Sequence, residues 1–264
     1  MFKVILLFCI PIAIMVYIIF IWIWKKNSQN FYPQGRPFIF GHRGSPAHIT
    51  ENTISSFEKA IEQGVDGVEF DIRLSKDKKI VIFHDAGLER LAGKNKKIKE
   101  LTYKQIQTIS LAQDQKIPLL EDIVPLIHRV KALNIEIKSD GIMKGHKILT
   151  PLIQFLDKHN IDDKCIVSSF NPLILWRLKL KRAKTIIGYL YNRNMILHQW
   201  NNLVWITRVR PDSLHIHYSL LNSWIVKWAR GKGMKINSYT INEKAVSDKA
   251  EIDGVFTDNI EYLK

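Results

Sequence analysis

Four short polar clusters, each at the end of an apolar run, are the residues of this chain best suited to chemistry. They are His42-Arg43-Gly44, Glu69-Phe70-Asp71, His84-Asp85 and Glu136-Ile137-Lys138. Histidine side chains exchange protons near neutral pH, carboxylates bind hard divalent cations, and arginine or lysine side chains bind phosphate oxygens. Together these residue types are suited to metal-assisted cleavage of a phosphate ester.

The apolar runs have the pattern of buried β-strands, and they predict where the polar side chains point. These runs are Phe38–Gly41, Gly67–Phe70, Ile80–Phe83 and Asn134–Ile137. Because side chains alternate along a strand, Glu69 and Asp71 share one face, as do Glu136 and Lys138. Such strand ends converge on one rim in a TIM barrel, where that fold builds its active sites.

Strand and helix patterns alternate through the rest of the chain and predict an α/β protein with a (β/α)8 barrel. The further strands are Cys165–Phe170, Thr185–Leu190, Ser213–Ile216, Lys235–Thr240 and Gly254–Thr257. The helices are Thr53–Gln63, Thr102–Ile109, Leu120–Val130, His146–Lys158, Pro172–Lys181, Met195–Thr207, Leu221–Arg230 and Glu243–Ala250.

This reading gives one strand too many for the barrel, and spacing identifies the extra one. The loop between Asp71 and Ile80 is too short for the parallel crossover, which needs about a dozen residues. A hairpin with its tip between Asp77 and Lys78 would instead place Asp71 opposite His84. The run Ile80–His84 is therefore predicted to be an antiparallel arm at the catalytic rim.

The N-terminus predicts a membrane segment ahead of the barrel. Residues Val4–Trp24 are uncharged and mostly apolar, and a helix of that length would span the ~30 Å hydrocarbon core. Lys25 and Lys26 follow as anchoring charges. A cleaved signal peptide is the weaker alternative, because no small-residue cleavage site follows. We expect a transmembrane anchor at 1–26, a tether at 27–37, the catalytic barrel at 38–264, and single-pass membrane localisation on an undecided side.

The formal net charge of +14 indicates which kinds of partner the protein could bind. Such a basic surface suits a phosphate substrate, acidic membrane lipids or nucleic acid, although a solvated lysine-rich surface explains it as well. No nucleic-acid-binding motif accompanies the charge, so a nucleic-acid partner is not expected. The two cysteines, Cys9 and Cys165, lie in unrelated segments and predict no disulfide.

The ordered set of motifs resembles the glycerophosphodiester phosphodiesterase family from about Phe38 to the C-terminus. It comprises His42-Arg43-Gly44, Glu51-Asn52-Thr53 with Ser56-Phe57 and Ala60, Gly64 to Asp71, His84-Asp85, Leu88-Glu89-Arg90, Leu101-Thr102, Ile117-Pro118-Leu119, Asn134 to Lys138, Ser168-Ser169-Phe170, and Asp253 to Asp258. The chain departs from the family pattern at two places. Thr50 replaces a proline, and Tyr239 precedes Thr240 where the family usually has tryptophan.

The resemblance implies a metal site and a pair of catalytic histidines. Glu69, Asp71 and Glu136 would hold Mg²⁺ or Ca²⁺, although pairing of these acids with basic residues is the structural alternative. His42 and His84 would be general acid and base, in an order that the sequence leaves open. In the implied mechanism the substrate's own C2 hydroxyl attacks phosphorus, and water then opens the cyclic phosphate.

Other residues are assigned alternative roles. Arg43 and Lys138 are candidates to bind the substrate phosphate or to pair with a ligand carboxylate. Glu51 is either a fourth metal ligand or a residue that holds the ligands in place. Phe170 and Tyr239 either form a wall of the substrate pocket or pack in the core. His215 and His217 share a strand face, so one of them is a candidate for lining the pocket, although a core or surface histidine with no role in the site is the favoured alternative.

These features predict an enzyme that hydrolyses glycerophosphodiesters to sn-glycerol 3-phosphate and an alcohol, in phospholipid or glycerol metabolism. A membrane-anchored lysophospholipase D, which would release lysophosphatidic acid from a membrane lipid, is the alternative with the same chemistry. A catalytically silent, membrane-tethered binding module is the alternative of another class. That module would be expected to lack a histidine or a metal carboxylate, and all of them are present.

Overall fold

The computed structural model describes residues 9–18, 26–141, 143–191, 199–243 and 251–263. The strands described are β1 (Phe38–His42), β2 (Gly67–Leu74), β3 (Ile80–Ile82), β4 (Gly87–Leu88), β5 (Lys94–Lys97), β6 (Ala132–Ile137), β7 (Cys165–Ser169), β8 (Ile186–Tyr191), β9 (Ser213–His217), β10 (Lys235–Tyr239) and β11 (Gly254–Thr257). The helices described are α1 (residues 9–18), α2 (Ile54–Glu62), α3 (Glu89–Ala92), α4 (Tyr103–Gln107), α5 (Leu149–His159), α6 (Pro172–Lys181), α7 (Gln199–Val209) and α8 (Trp224–Gly231).

Eight of these strands form a closed parallel barrel, which confirms the predicted TIM-barrel fold. The order is β1-β2-β6-β7-β8-β9-β10-β11, and β11 pairs with β1 to close the ring. Val68 and Phe70 on β2 pack in the core between the barrel and its helices, together with Phe57 of α2. The alternate residues Glu69 and Asp71 therefore point into the barrel, as the strand period predicts.

Strand β3 is the antiparallel arm that the spacing predicts, but its register differs by one residue. Ile72 pairs with Ile82, so Asp71 lies opposite Phe83 rather than His84. The turn holds three residues between Ser75 and Lys79, and Lys78 adopts a positive φ of 62°. Turns of this kind use one left-handed residue, which moves the hairpin tip onto Asp77.

The chain between β3 and the barrel's next strand builds a small insert with its own apolar core. It contains β4, β5, α3 and α4, and its core residues are Val81, Phe83, Leu88, Ile98, Ile106, Ile109, Leu111 and Ile117. His84 lies two residues beyond the end of β3. One of the two candidate catalytic histidines therefore belongs to the insert rather than to a barrel strand.

Two predicted helices differ in type or in start. Leu120–Arg129 is a 3-10 helix containing Pro125, because proline lacks the N–H that an α-helix interior needs. A 3-10 turn, His146–Ile148, precedes α5 where one continuous helix is predicted. The predicted helix Glu243–Ala250 lies almost wholly outside the described residues, as does the start of Met195–Thr207.

The predictions of a transmembrane anchor and of membrane localisation are wrong. Within the described part of the chain, no helix has both the length and the apolar composition needed to cross a membrane. Helix α1 is described over residues 9–18. The remainder of the predicted span, residues 4–8 and 19–24, lies outside the described residues.

Residues 26–37 contact the amino-terminal end of the barrel. The backbone N–H of Asn27 donates to Asp212 Oδ1 at 2.6 Å, and its side-chain amide donates to the Thr185 carbonyl at 2.8 Å. The Tyr32 hydroxyl hydrogen-bonds with Asn237 inside the barrel. The segment predicted as a tether is therefore packed against this end of the barrel.

Asp66, just before β2, joins three elements at the same end of the barrel. One carboxylate oxygen accepts from Arg36 at 2.5 Å and from the Ile39 backbone at 3.0 Å. The other accepts from Arg36 at 2.7 Å and from Lys131 at 2.8 Å. Burial would raise the pKa of Asp66, but these donors lower it from 3.8 to about 2. The ion pairs thus favour the charged form strongly.

Candidate active site

Three buried carboxylates meet at the carboxyl-terminal rim of the barrel. Glu69 and Asp71 lie on β2, and Glu136 lies on the neighbouring strand β6, where it pairs in register with Asp71. One oxygen from each lies within 4.8 Å of the others. Oε1 of Glu69 is buried without a hydrogen-bond partner among the described residues. Oxygen donors in this arrangement fit a hard divalent cation such as Mg²⁺ or Ca²⁺.

Two basic side chains lie against these carboxylates. Nζ of Lys138 is 2.9 Å from Asp71 Oδ1 and also contacts Glu136. Nε of Arg43 is 3.3 Å from Asp71 Oδ2, and the Arg43 backbone N–H donates to Glu69 Oε2 at 2.9 Å. Arg43 adopts a positive φ of 57°, which turns the chain back over the rim. Although both cations are paired with carboxylates, their side chains face the site.

His42 and His84 are each oriented by an aspartate. Nδ1 of His42 lies 2.7 Å from Asp258 Oδ1, and Nδ1 of His84 lies 2.6 Å from Asp85 Oδ1. A carboxylate can only accept, so each ring donates through Nδ1 and leaves Nε2 toward the site. Nε2 of His42 is 3.9 Å from Glu69. Both rings are thus held in one tautomer beside the acidic group.

Burial and neighbouring charges shift the ionisation of the acids in opposite directions. Burial and the charge of Asp71 raise the pKa of Glu69 to about 8, and burial raises the pKa of Glu136. Burial would also raise the pKa of Asp71, but Lys138 and Arg43 hold it well below its usual value. The protein's own cations therefore do not neutralise all three acids. A divalent cation would favour the charged form of each.

The pKa values of the two histidines are also shifted in opposite directions. Burial alone would lower the pKa of His42, but the hydrogen bond to Asp258 and the charge of Glu69 outweigh burial and raise the pKa. Burial and the Lys138 ammonium lower the pKa of His84. The rings thus have different proton affinities, which is the condition for one to donate while the other accepts.

Further polar residues hold Arg43 and Asp71 in place through hydrogen bonds. Glu51 accepts from Arg43 at 3.0 Å and from Arg90 at 2.6 Å, and it lies outside the group of three carboxylates. The Asn52 amide donates to Asp71 Oδ2 at 2.8 Å while the Asp71 backbone N–H donates back at 3.1 Å. Glu51, Asn52 and Arg90 all belong to the sequence motifs, but the motifs do not indicate that Arg90 pairs with Glu51.

A cavity of about 190 Å³ lies over these groups. Phe170 and Tyr239 line it with their ring centroids 6.2 Å apart, and His215 lies in its wall whereas His217 does not. Besides Glu69 Oε1 and Arg43 Nε, two further buried polar atoms of the lining residues, Asn134 Oδ1 and His215 Nδ1, have no hydrogen-bond partner among the described residues. Neither atom is distinguished by the sequence pattern from a polar core position.

Comparisons with known proteins agree with this geometry. The profile of the glycerophosphoryl diester phosphodiesterase family matches residues 42–262. A glycerophosphodiester phosphodiesterase of Caldanaerobacter subterraneus is 30% identical over 86% of this chain and 96% of the relative. The solved glycerophosphodiester phosphodiesterase of Thermotoga maritima is 33% identical, with a TM-score of 0.72 over 87% of this chain and 97% of that one.

A second solved structure holds a product. The Oleispira antarctica phosphodiesterase, in complex with sn-glycerol 3-phosphate, is 27% identical with a TM-score of 0.77, over 89% of this chain and 96% of that one. The family match extends over both histidines and all three carboxylates. On its sequence, its barrel and the constellation at its rim, this chain belongs to the glycerophosphoryl diester phosphodiesterase family.

Proposed function

We propose that this protein hydrolyses glycerophosphodiesters to sn-glycerol 3-phosphate and an alcohol, with a divalent cation held by Glu69, Asp71 and Glu136. The observation that carries the proposal is the convergence of three buried carboxylates and two aspartate-oriented histidines on one rim. A bound cation would neutralise charge on the phosphate oxygens as the ester bond breaks. The product-bound relative supports the choice of glycerophosphate as the retained half.

The basic side chains fit the phosphate group. Arg43 presents a planar guanidinium and Lys138 a point charge, and both line the catalytic cavity. Each is already paired with Asp71, so the two cations remain in place when the substrate is absent. Their role is to bind the phosphate oxygens that do not leave, which orients the reacting phosphorus.

Proton transfer is assigned to the two histidines. The C2 hydroxyl of the substrate's glycerol attacks phosphorus, and the bond from phosphorus to the leaving alcohol breaks. One ring takes the proton of the attacking hydroxyl while the other gives a proton to the leaving oxygen. Water then opens the cyclic phosphate with the roles reversed. Asp258 and Asp85 keep Nε2 of each ring available for these transfers.

The cavity supports the recognition of a small polyol. At about 190 Å³ it is smaller than the roughly 300–1,000 Å³ of pockets for drug-sized ligands. Asn134 Oδ1 and His215 Nδ1 offer buried hydrogen-bond partners to the glycerol hydroxyls. Phe170 and Tyr239 form its apolar wall.

The test is an assay with purified protein, glycerophosphocholine and lysophosphatidylcholine, with Mg²⁺, with Ca²⁺ and with excess chelator. Release of sn-glycerol 3-phosphate from the first compound, abolished by chelator and restored by one cation, is the expected result. Release of lysophosphatidic acid alone would favour the lysophospholipase D alternative. Full activity in chelator would refute the metal site, and no turnover of either compound would refute the function.

A further inference from the structure

A second cavity, of about 420 Å³, adjoins the catalytic cavity, and its wall is strongly basic. We call it the basic cavity and define it by Arg73, Lys76, Lys78, Lys99, Lys144 and Lys147, together with Lys138, which it shares with the catalytic cavity. These are seven cationic side chains, against one described carboxylate in the lining, Asp140. Such a wall attracts negative charge.

Most of this positive charge is not neutralised within the protein. Asp140 pairs with Arg73 at 2.9 Å and with Lys99 at 3.1 Å. No ion pair to Lys76, Lys78, Lys144 or Lys147 is found in the described part of the chain, and all four are exposed. A solvated lysine-rich surface would scatter such side chains, whereas here they surround one concavity.

The basic cavity is connected to the chemistry through two residues. Lys138 has its ammonium 2.9 Å from Asp71 Oδ1 and lines both cavities. Arg73 lines the basic cavity and donates to the backbone carbonyl of His84 at 2.8 Å. A substrate whose phosphate lies at the catalytic rim therefore has the basic cavity within reach of its other half.

The two volumes differ in a way that suits the two halves of a diester. The catalytic cavity, about 190 Å³, has room for a small glycerophosphate half, so the leaving alcohol must extend out of it. The basic cavity is about 420 Å³ and is continued by a third cavity that shares Lys78 and Lys147 and adds Arg177 and Lys181. Positive charge thus continues away from the reacting centre.

We propose that the basic cavity binds a negatively charged group on the leaving alcohol, so that diesters whose alcohol itself carries phosphate are preferred. This inference rests on the proposed function, and it specifies the charge of the leaving alcohol, the second half of the substrate. Exposed charge pairs contribute about 0.2–1 kcal/mol each, so two lysines give a preference of roughly twofold to thirtyfold. The preference should fall at about 1 M salt, where the screening length is about 3 Å.

The test compares glycerophosphoglycerol with the same compound phosphorylated on its leaving glycerol. The ratio of the two kcat/KM values, phosphorylated over plain, should fall roughly twofold to thirtyfold in the double variant Lys144→Gln/Lys147→Gln. The matched control is Lys104→Gln/Lys227→Gln, which removes the same net charge from exposed positions outside the described cavities. That control should keep the wild-type ratio. An equal fall in both double variants, or no fall in either, would overturn the proposal.

A binding measurement separates this inference from the proposed function. Calorimetry on a His84→Asn background, in which turnover should be roughly 10²–10⁴-fold slower, gives the Kd of both compounds. The phosphorylated compound should bind more tightly there, and the added Lys144→Gln/Lys147→Gln change should remove that advantage. If wild type cleaves neither compound, the proposed function fails, while the calorimetric difference still decides the inference. Equal Kd values for the two compounds would overturn it.

Discussion

The carboxylate of Asp66 makes a quantitative prediction about stability at the end of the barrel away from the active site. Its side chain is 5% exposed and accepts hydrogen bonds from Arg36, Lys131 and the Ile39 backbone. These contacts lower its pKa from 3.8 to about 2. The difference, about 1.8, corresponds to about 2.5 kcal/mol at about 1.4 kcal/mol per pKa unit. Arg36 and Lys131 are half-exposed, so this figure is an upper value.

The sign of the pH dependence follows from the lowered pKa. A carboxyl group with a lower pKa in the folded state stabilises the fold fully above its unfolded value of 3.8. That contribution is lost as the pH falls toward 2, and about half of it remains at pH 3. Asp66→Asn should therefore lower the free energy of unfolding by about 2 kcal/mol at pH 7 and by roughly half as much at pH 3.

Urea unfolding of wild type and Asp66→Asn at pH 7, 5 and 3 measures this difference. Asp163→Asn is the control, because Asp163 is exposed and forms no ion pair with any other described residue. Turnover by the folded variant should match wild type, since Asp66 lies at the barrel end opposite the catalytic rim. A loss at pH 7 no larger than that of the control, or a loss independent of pH, would refute the reasoning.

The remaining predictions concern the catalytic rim. Glu69→Gln should abolish both turnover and divalent-cation binding, because one ligand charge is lost at nearly constant volume. Calorimetry with Mg²⁺ and Ca²⁺ measures the binding. A variant that binds either cation with wild-type affinity would contradict the metal site. His84→Asn should lower kcat by roughly 10²–10⁴-fold with a smaller change in KM, and a fall in 1/KM alone would make it a binding residue. Asp258→Asn should lower kcat about 10–100-fold and shift the pH–rate profile, because His42 loses the group that raises its pKa; an unshifted profile would mean that Asp258 does not act through His42.

Strand periodicity predicted the barrel and the inward direction of its acids because burial imposes alternation on each strand. Glu69 and Asp71 point inward since Val68 and Phe70 must pack under the helices. The arm β3 followed from loop length alone. The register of β3 could not be predicted in this way, because it depends on the left-handed backbone conformation of Lys78, which the spacing of the strands does not determine.

The parts of the site that the sequence missed depend on contacts between distant parts of the chain. Asp258 meets His42 because β11 pairs with β1, which joins positions 216 residues apart. Arg90 on α3 reaches Glu51 at a separation of 39 residues, a contact that depends on the fold of the insert and not on closure of the barrel. The N-terminal expectation failed for another reason. Apolar composition does not by itself establish a membrane helix, and no helix in the described part of the chain has the length and apolar composition to cross a membrane.

The insert's separate apolar core has a consequence for how activity and folding are related. His84 lies in the insert, whose apolar core around Phe83, Ile98 and Ile106 is separate from that of the barrel, whereas Ile80 and Ile82 of β3 pack in the barrel core. Small units of this kind open at lower free energy than the whole domain. Opening of the insert would withdraw one proton carrier while the eight strands stay closed. Inactivation by mild denaturant should therefore precede loss of barrel structure, and amide hydrogens of the insert should exchange before those of β6 and β7.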